Sequence, residues 1–232
     1  MGIDEISDLS VVIRIEEDSS LYPVDHLSVE VYAKADQIRN EFHPEPVASM
    51  QVVRVHGGHS MIVDSADGVS SAFYLAARAL LGQKDADINA YLAKLLRMPA
   101  NTIGSVDTLF YVDKLVLPHE APPDQVQLIL GAAMKTVAKG IEAEKWLGVA
   151  YAKQTVFVEE RTGAEASRKH SYYGTRDKSL MAVYKEVGFE VVPTFTKEDN
   201  KVLAVSGGRL KLGLKKEHKL EAKVTETRKL RV

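Results

Sequence analysis

The hexapeptide VHGGHS (55–60) sets two imidazoles, His56 and His59, on either side of a glycine pair. Imidazoles at that spacing could begin a metal site, but no third ligand stands nearby, and a chain without cysteine supplies no thiolate. Gly57 and Gly58 would let backbone N–H groups approach a phosphate, yet their surroundings match no nucleotide motif. The preferred reading is a turn carrying two exposed histidines. A second stretch, RKHSYYGTR (168–176), interleaves basic and aromatic side chains, the combination that grips single-stranded nucleic acid. In a chain of formal net charge −2 this single stretch reads better as a surface loop, or as a lid over a substrate. There is no cysteine nucleophile, no local Ser-His-Asp signature and no P-loop.

These residues have to be positioned by a chain of 232 residues, 45% of them hydrophobic, enough to bury a core without disulfides. No linker or internal repeat is visible, so one domain over 1–232 is expected. The opening MGIDEISDLS is acidic and polar, unlike a basic-then-apolar leader, and no apolar run approaches the roughly 18 residues needed to cross a bilayer. A cytoplasmic protein without membrane contact is the expectation. The charge is uneven: residues 209–232 hold nine Lys/Arg against three Glu, a local +6. The formal net charge of −2 argues against a general nucleic-acid binder, while a basic end can also contact phosphate. That basic end is expected to be a solvated strand or helix face.

Periodicity places the elements. Residues 8–17 read as a strand. Residues 23–42 read as a helix, because Leu27, Val31, Ala35, Ile38 and Phe42 recur at three-to-four spacing. Residues 50–55 are β-branched and extended. Asp67-Gly68 between apolar runs signals a hairpin with strands at 60–64 and 69–79. Residues 85–99 form a short helix with Ile88, Leu92 and Leu95 inward. TLFYVDKLVLP (108–118) is the strongest strand and 121–148 the strongest helix, capped by Asp124, stopped at Gly148, and burying Val126, Leu130, Ala133, Val137 and Ile141. A strand at 149–160, a loop at 161–178, a helix at 177–186 and two closing strands complete the chain. Strands alternating with helices predict an α/β (α+β) fold, a mixed central sheet flanked by helices, with a right-handed β-α-β unit over 108–160.

This succession, with DKSLMAVYKEVGF at 177–189, resembles the GNAT superfamily of N-acyltransferases. The family's last helix commonly reads Asn-x-x-Ala-x-x-Leu-Tyr-x-x-x-Gly-Phe. Asp177, Leu180, Val183, Tyr184, Gly188 and Phe189 stand at its positions. VDKLVLP is similar to the family's central strand, with Asp113 at the acidic position. The likeness covers roughly 60–80 and 108–200, leaving an insertion at 82–107 and a C-terminal strand extension with the basic end 209–232 outside it.

The resemblance implies an acetyl or other acyl group passed from acyl-coenzyme A to the amine of a small molecule or protein. Two neighbouring parallel strands, the first holding Asp113, would splay apart to form the cofactor slot. Tyr184 would protonate the leaving thiolate, and Asp113 or Glu120 would take the amine proton. The amides of Leu115, Val116 and Leu117 would face the thioester and pantetheine arm. Read without the family, Tyr184 packs its ring under the sheet with its hydroxyl at the rim.

The pyrophosphate loop departs from the family's Arg/Gln-x-x-Gly-x-Gly/Ala. The nearest match is Gln127 to Ala132, in which Leu130 precedes Gly131 and Ala132. Pro122 and Pro123 have no N–H to offer, and Glu120 and Asp124 would repel phosphate. Coenzyme A would then have to recruit Lys114, Lys135, Arg161, Arg168, Lys169 or Arg176. The same residues therefore suit a GNAT-fold binding or structural protein without catalysis, such as a phage accessory or virion component, or a transferase fed by a carrier protein. A protein partner or a second copy is expected at 82–107 or 209–232.

Overall fold

The computed structural model describes residues 8–17, 23–33, 46–83, 85–99, 102–118, 122–140, 145–151, 155–158, 177–193, 201–211 and 219–227. They form a mixed α/β structure built on one sheet of nine strands. Three antiparallel strands, β1 (Asp8–Glu17), β2 (Val24–Ala33) and β3 (Ala48–His56), precede three helices, α1 (His59–Val69), α2 (Ser71–Leu81) and α3 (Ala86–Leu95). The central strand β4 (Thr108–Pro118) leads through α4 (Pro123–Gly140) to β5 (Trp146–Ala150) and β6 (Thr155–Val158). Then come α5 (Asp177–Val187), β7 (Glu190–Val192), β8 (Val202–Ser206) and β9 (Lys219–Thr227). The order across the sheet is β7-β8-β5-β4-β3-β2-β1-β9, and β6 also pairs with β4. β4 runs parallel to β5 and β6, β1 runs parallel to β9, and the other neighbours are antiparallel.

Helices pack on both faces of the sheet. One core joins Leu9, Val11 and Ile13 of β1 and Leu27, Val29 and Val31 of β2 to α4 and α5. The other joins Val53, Val55, Leu109 and Tyr111 to α1, α2 and α3. Alternate residues of a strand point to opposite faces, so the central strands β3, β4, β5 and β8 feed both cores, while β1 feeds only the first.

Three expectations need correction. Residues 24–33 are strand, not helix. Leu27 and Val31 are four apart, a separation that fits a helical face and a strand face alike. Buried Val29 between them fits only the strand. The remaining residues of that expected helix lie outside the described residues. The hairpin at 60–79 is also absent, because those residues form α1 and α2. Ile62 and Ala66, then Phe73, Ala76, Ala77, Leu80 and Leu81, are buried at three-to-four spacing. Ser70 divides the two helices, and its hydroxyl accepts the Phe73 N–H (3.1 Å) as an N-cap. With the hairpin goes one of the elements on which the GNAT likeness was drawn.

The third correction concerns the long helix. Asp124 is its second residue, after Pro123, rather than its cap, and the chain is strand again at Trp146. Gly148 is no stop signal. It lies within β5, where a Cβ would come within 2.9 Å of Met134 Cε and 3.0 Å of Val205 Cγ1. The bare backbone lets α4 settle onto the sheet. Val126, Leu130, Ala133 and Val137 are buried as expected. Ile141 lies outside the described residues.

The insertion at 82–107 contributes α3 and a 3-10 turn at Ile103–Ser105. It is stapled down by the turn after β8. Arg209 Nη1 donates to the Leu95 carbonyl (2.8 Å), Ser206 Oγ donates to the Leu96 carbonyl, and Arg209 pairs with Glu190. The basic end is in part a sheet edge, since β9 pairs with β1 along nine residues.

Candidate functional site

The hydrophobic residues of β4 carry an irregularity. Phe110 and Val112 belong to the core under α4 and α5, and so do Leu115 and Leu117. A gap of three between Val112 and Leu115 breaks the period of two. The register against β3 shows how: Val112 pairs with Val52 and Lys114 with Gln51, leaving Asp113 as the extra residue of a β-bulge. Asp113 is exposed.

The other side of β4 is interrupted at the same level. β5 pairs with Thr108 to Val112, and β6 resumes the pairing from Leu115 to Pro118. β6 must lie on the β5 side, because Leu115 and Val116 already have Met50 and Ser49 of β3 on the other. The expected splay is thus a short interruption, with the seam closed above and below it.

Tyr184 sits beneath the point where the seam resumes. Its ring is 1% exposed, and its hydroxyl stands 3.3 Å from the Thr155 hydroxyl, the first residue of β6. Burial pushes the tyrosine up to about 12, outweighing the Thr155 hydrogen bond, which acts in the other direction. Phe189 packs edge-on against the ring at 5.2 Å and 90°.

The end of α5 explains this geometry. The Phe189 N–H donates to the Tyr184 carbonyl (3.0 Å) and the Gly188 N–H to the Lys185 carbonyl (2.9 Å). Gly188 has φ +111, so the helix closes in a Schellman motif with glycine in the left-handed region. Such a cap brings the residue after the glycine back onto the residue four before it. Tyr-x-x-x-Gly-Phe is therefore a helix-ending device in its own right.

The remaining expected site residues scatter. Leu115 and Leu117 are buried side chains against the core, and Val116 is half-buried. Gln127, Gly131 and Ala132 lie in the second and third turns of α4, where their N–H groups belong to the helix ladder, and the latter two are buried. The first turn of α4 offers Pro123 and an exposed Asp124. Lys114 and Lys135 are exposed. Glu120, Arg161, Arg168, Lys169 and Arg176 lie outside the described residues. Thr155 had no signal of its own in the sequence, as its place follows only from where β6 rejoins β4.

No family model, no curated protein and no solved structure matches this chain.

The histidine turn is a separate place. His56 and His59 are half-buried rather than exposed. Gly57, at φ +135, donates its N–H to the Asp107 carbonyl (2.9 Å). Among the described residues no group of three or more His, Asp or Glu could hold a metal ion. Nor, among them, is any helix long and apolar enough to cross a membrane.

The tyrosine gives a pH prediction. The folded state holds its proton beyond the ordinary tyrosine value of 10.0, up to about 12. The stabilisation is whole below pH 10 and is lost as pH rises toward 12, because only the unfolded chain ionises easily in that window. Denaturant titrations should show wild type losing about 2–3 kcal/mol more than Tyr184→Phe between pH 10 and 12. Parallel curves would mean that the hydroxyl is not held in a dry site.

Proposed function

We propose that the chain is a catalytically silent binding or structural module on a GNAT-like fold. The pairing of β4 with β6 carries this reading. Leu115 to Leu117, whose amides the resemblance assigns to the acyl donor, already have Thr155, Val156 and Phe157 as strand neighbours. A pantetheine arm would have to displace that strand.

Two further features support it. The capping role of Tyr184, Gly188 and Phe189 accounts for the residues most alike between this chain and the family. A tyrosine pushed up to about 12 is also poorly matched to proton transfer near neutrality, where a useful acid titrates close to the working pH.

Thermal unfolding with acetyl-coenzyme A tests the reading, and no change in Tm at millimolar ligand is expected. A ligand present at 100 times its dissociation constant would add about 2.7 kcal/mol, or roughly 5–10 °C for a chain of this size. A rise of that kind would overturn the proposal.

The interruption at Asp113 favours a second reading, an acyl-coenzyme A-dependent N-acyltransferase acting on an amine. There the gap in the seam admits the thioester, Tyr184 is the acid, and Asp113 or Glu120 is the base. In that case Tyr184→Phe would lower turnover by about 10²-fold or more with little effect on donor affinity.

A further inference from the structure

We infer that β9 is a dimerisation edge that pairs with β9 of a second copy of this chain, antiparallel about a two-fold axis at Ala222. β9 closes one side of the sheet, and among the described residues no strand pairs with its outer edge. Its register with β1 runs unbroken from Asp8 opposite Lys219 to Glu16 opposite Thr227. No bulge or proline therefore interrupts a row of backbone groups open to another strand. The opposite edge, β7, is only three residues long.

The sequence of the edge, KLEAKVTET, selects the occupant. Lysines on an edge normally deter a passing strand. Two copies meeting head to tail remove that obstacle. A two-fold axis perpendicular to the sheet keeps each face on its own side, so facing residues must come from the same alternation of the strand. That leaves registers centred on a residue. Centring on Glu221 sets position 219 against 223, lysine against lysine, twice. Centring on Lys223 sets Leu220 against Glu226. Centring on Ala222 sets Glu221 against Lys223 twice and Leu220 against Val224 twice. Among the registers that pair five or more residues of β9, only this last puts opposite charges together and apolar residues together, the pairings that stabilise antiparallel strands.

The arrangement also extends the layers. α4 packs over β1, β2 and β9, so the axis carries the helical layer of one copy toward that of the other on the same face. The inference does not depend on whether the chain is a catalyst.

Sedimentation equilibrium on the full chain tests it. Wild type is expected to be dimeric at tens of micromolar. Glu221→Lys alone and Lys223→Glu alone each place like charges opposite one another at two positions, and each should weaken the dimer by about tenfold or more. Mixing these two variants restores both opposite-charge pairs, so a heterodimer should form at wild-type strength. Circular dichroism of each single variant separates lost assembly from lost folding, and recovery on mixing requires that both are folded. A wild type that stays monomeric at about 100 µM would overturn the inference. So would single variants that dimerise normally, or a mixture that does not recover.

Discussion

Gly188→Ala is expected to cost about 3–5 kcal/mol and to lower Tm by roughly 10 °C. Two effects add. The glycine holds φ +111, which an L side chain adopts only with strain of about 1–3 kcal/mol. A Cβ there would also press into the Arg209 carbonyl oxygen, and a backbone atom cannot swing aside as a side chain can. That carbonyl is fixed from several directions. Lys211 N–H donates to the Val187 carbonyl (2.8 Å), and Arg209 reaches both Leu95 and Glu190. The collision therefore spreads into the ends of α5 and α3 together. Because the same cap lays Phe189 on Tyr184, the near-ultraviolet circular dichroism of the variant should weaken even below its Tm. Gly68→Ala is the control: nothing lies within 4 Å of its added methyl, so it should be neutral or slightly stabilising. If Gly188→Ala unfolded within a degree of wild type, the turn after β8 would have to be far looser than its hydrogen bonds imply.

In the C-terminal half, β4, the body of α4 and the end of α5 are legible because their signals are local. β4 is long and largely apolar, α4 has one continuous apolar face, and Gly188 marks the end of α5 at the residue where the helix stops. The N-terminal half departs from the sequence pattern where one spacing serves two periods. Leu27 and Val31 satisfy a helix, and Leu27, Val29 and Val31 satisfy a strand; only the neighbouring β3 decides between them. Asp67-Gly68 is a turn signal in isolation, but inside α1 the glycine is simply a tolerated helical residue beside the Ser70 break. The local preference of a dipeptide yielded to the burial of Ile62, Ala66 and Phe73 on one side of the sheet.

The site divides in the same way. Tyr184 was found because its cap is written within six residues of sequence. The bulge was present as well, in the odd gap between Val112 and Leu115, and a strict count of alternation in LFYVDKLVL would have exposed it. Thr155 was not accessible, because it meets Tyr184 only through the register with which β6 rejoins β4, a tertiary fact. Asp25 is hidden in the sequence because the spacing of Leu27 and Val31 reads its strand as a helix.

Arg54→Met should destabilise the protein by about 3–5 kcal/mol, measured by urea unfolding. Asp25 and Arg54 face each other across β2 and β3, and the Asp25 side chain is only 7% exposed. Arg54 Nε lies 2.5 Å from Asp25 Oδ2, and Nη2 of the same guanidinium also reaches that oxygen. Remove the arginine and a buried carboxylate is left with His56, whose Nε2 stands 3.7 Å from it and is charged only when protonated. The cost is that of an orphaned charge, not the net worth of the pair. For that reason Asp25→Val combined with Arg54→Met should recover most of the loss, ending within about 1–2 kcal/mol of wild type. The double variant separates two accounts of this corner of the sheet. Recovery means that the two charges exist to neutralise each other and to fix the register of β2 on β3, for which a valine and a methionine serve nearly as well. Failure to recover would mean that Asp25 has work beyond Arg54, and would direct attention to His56 and the glycine turn that follows it.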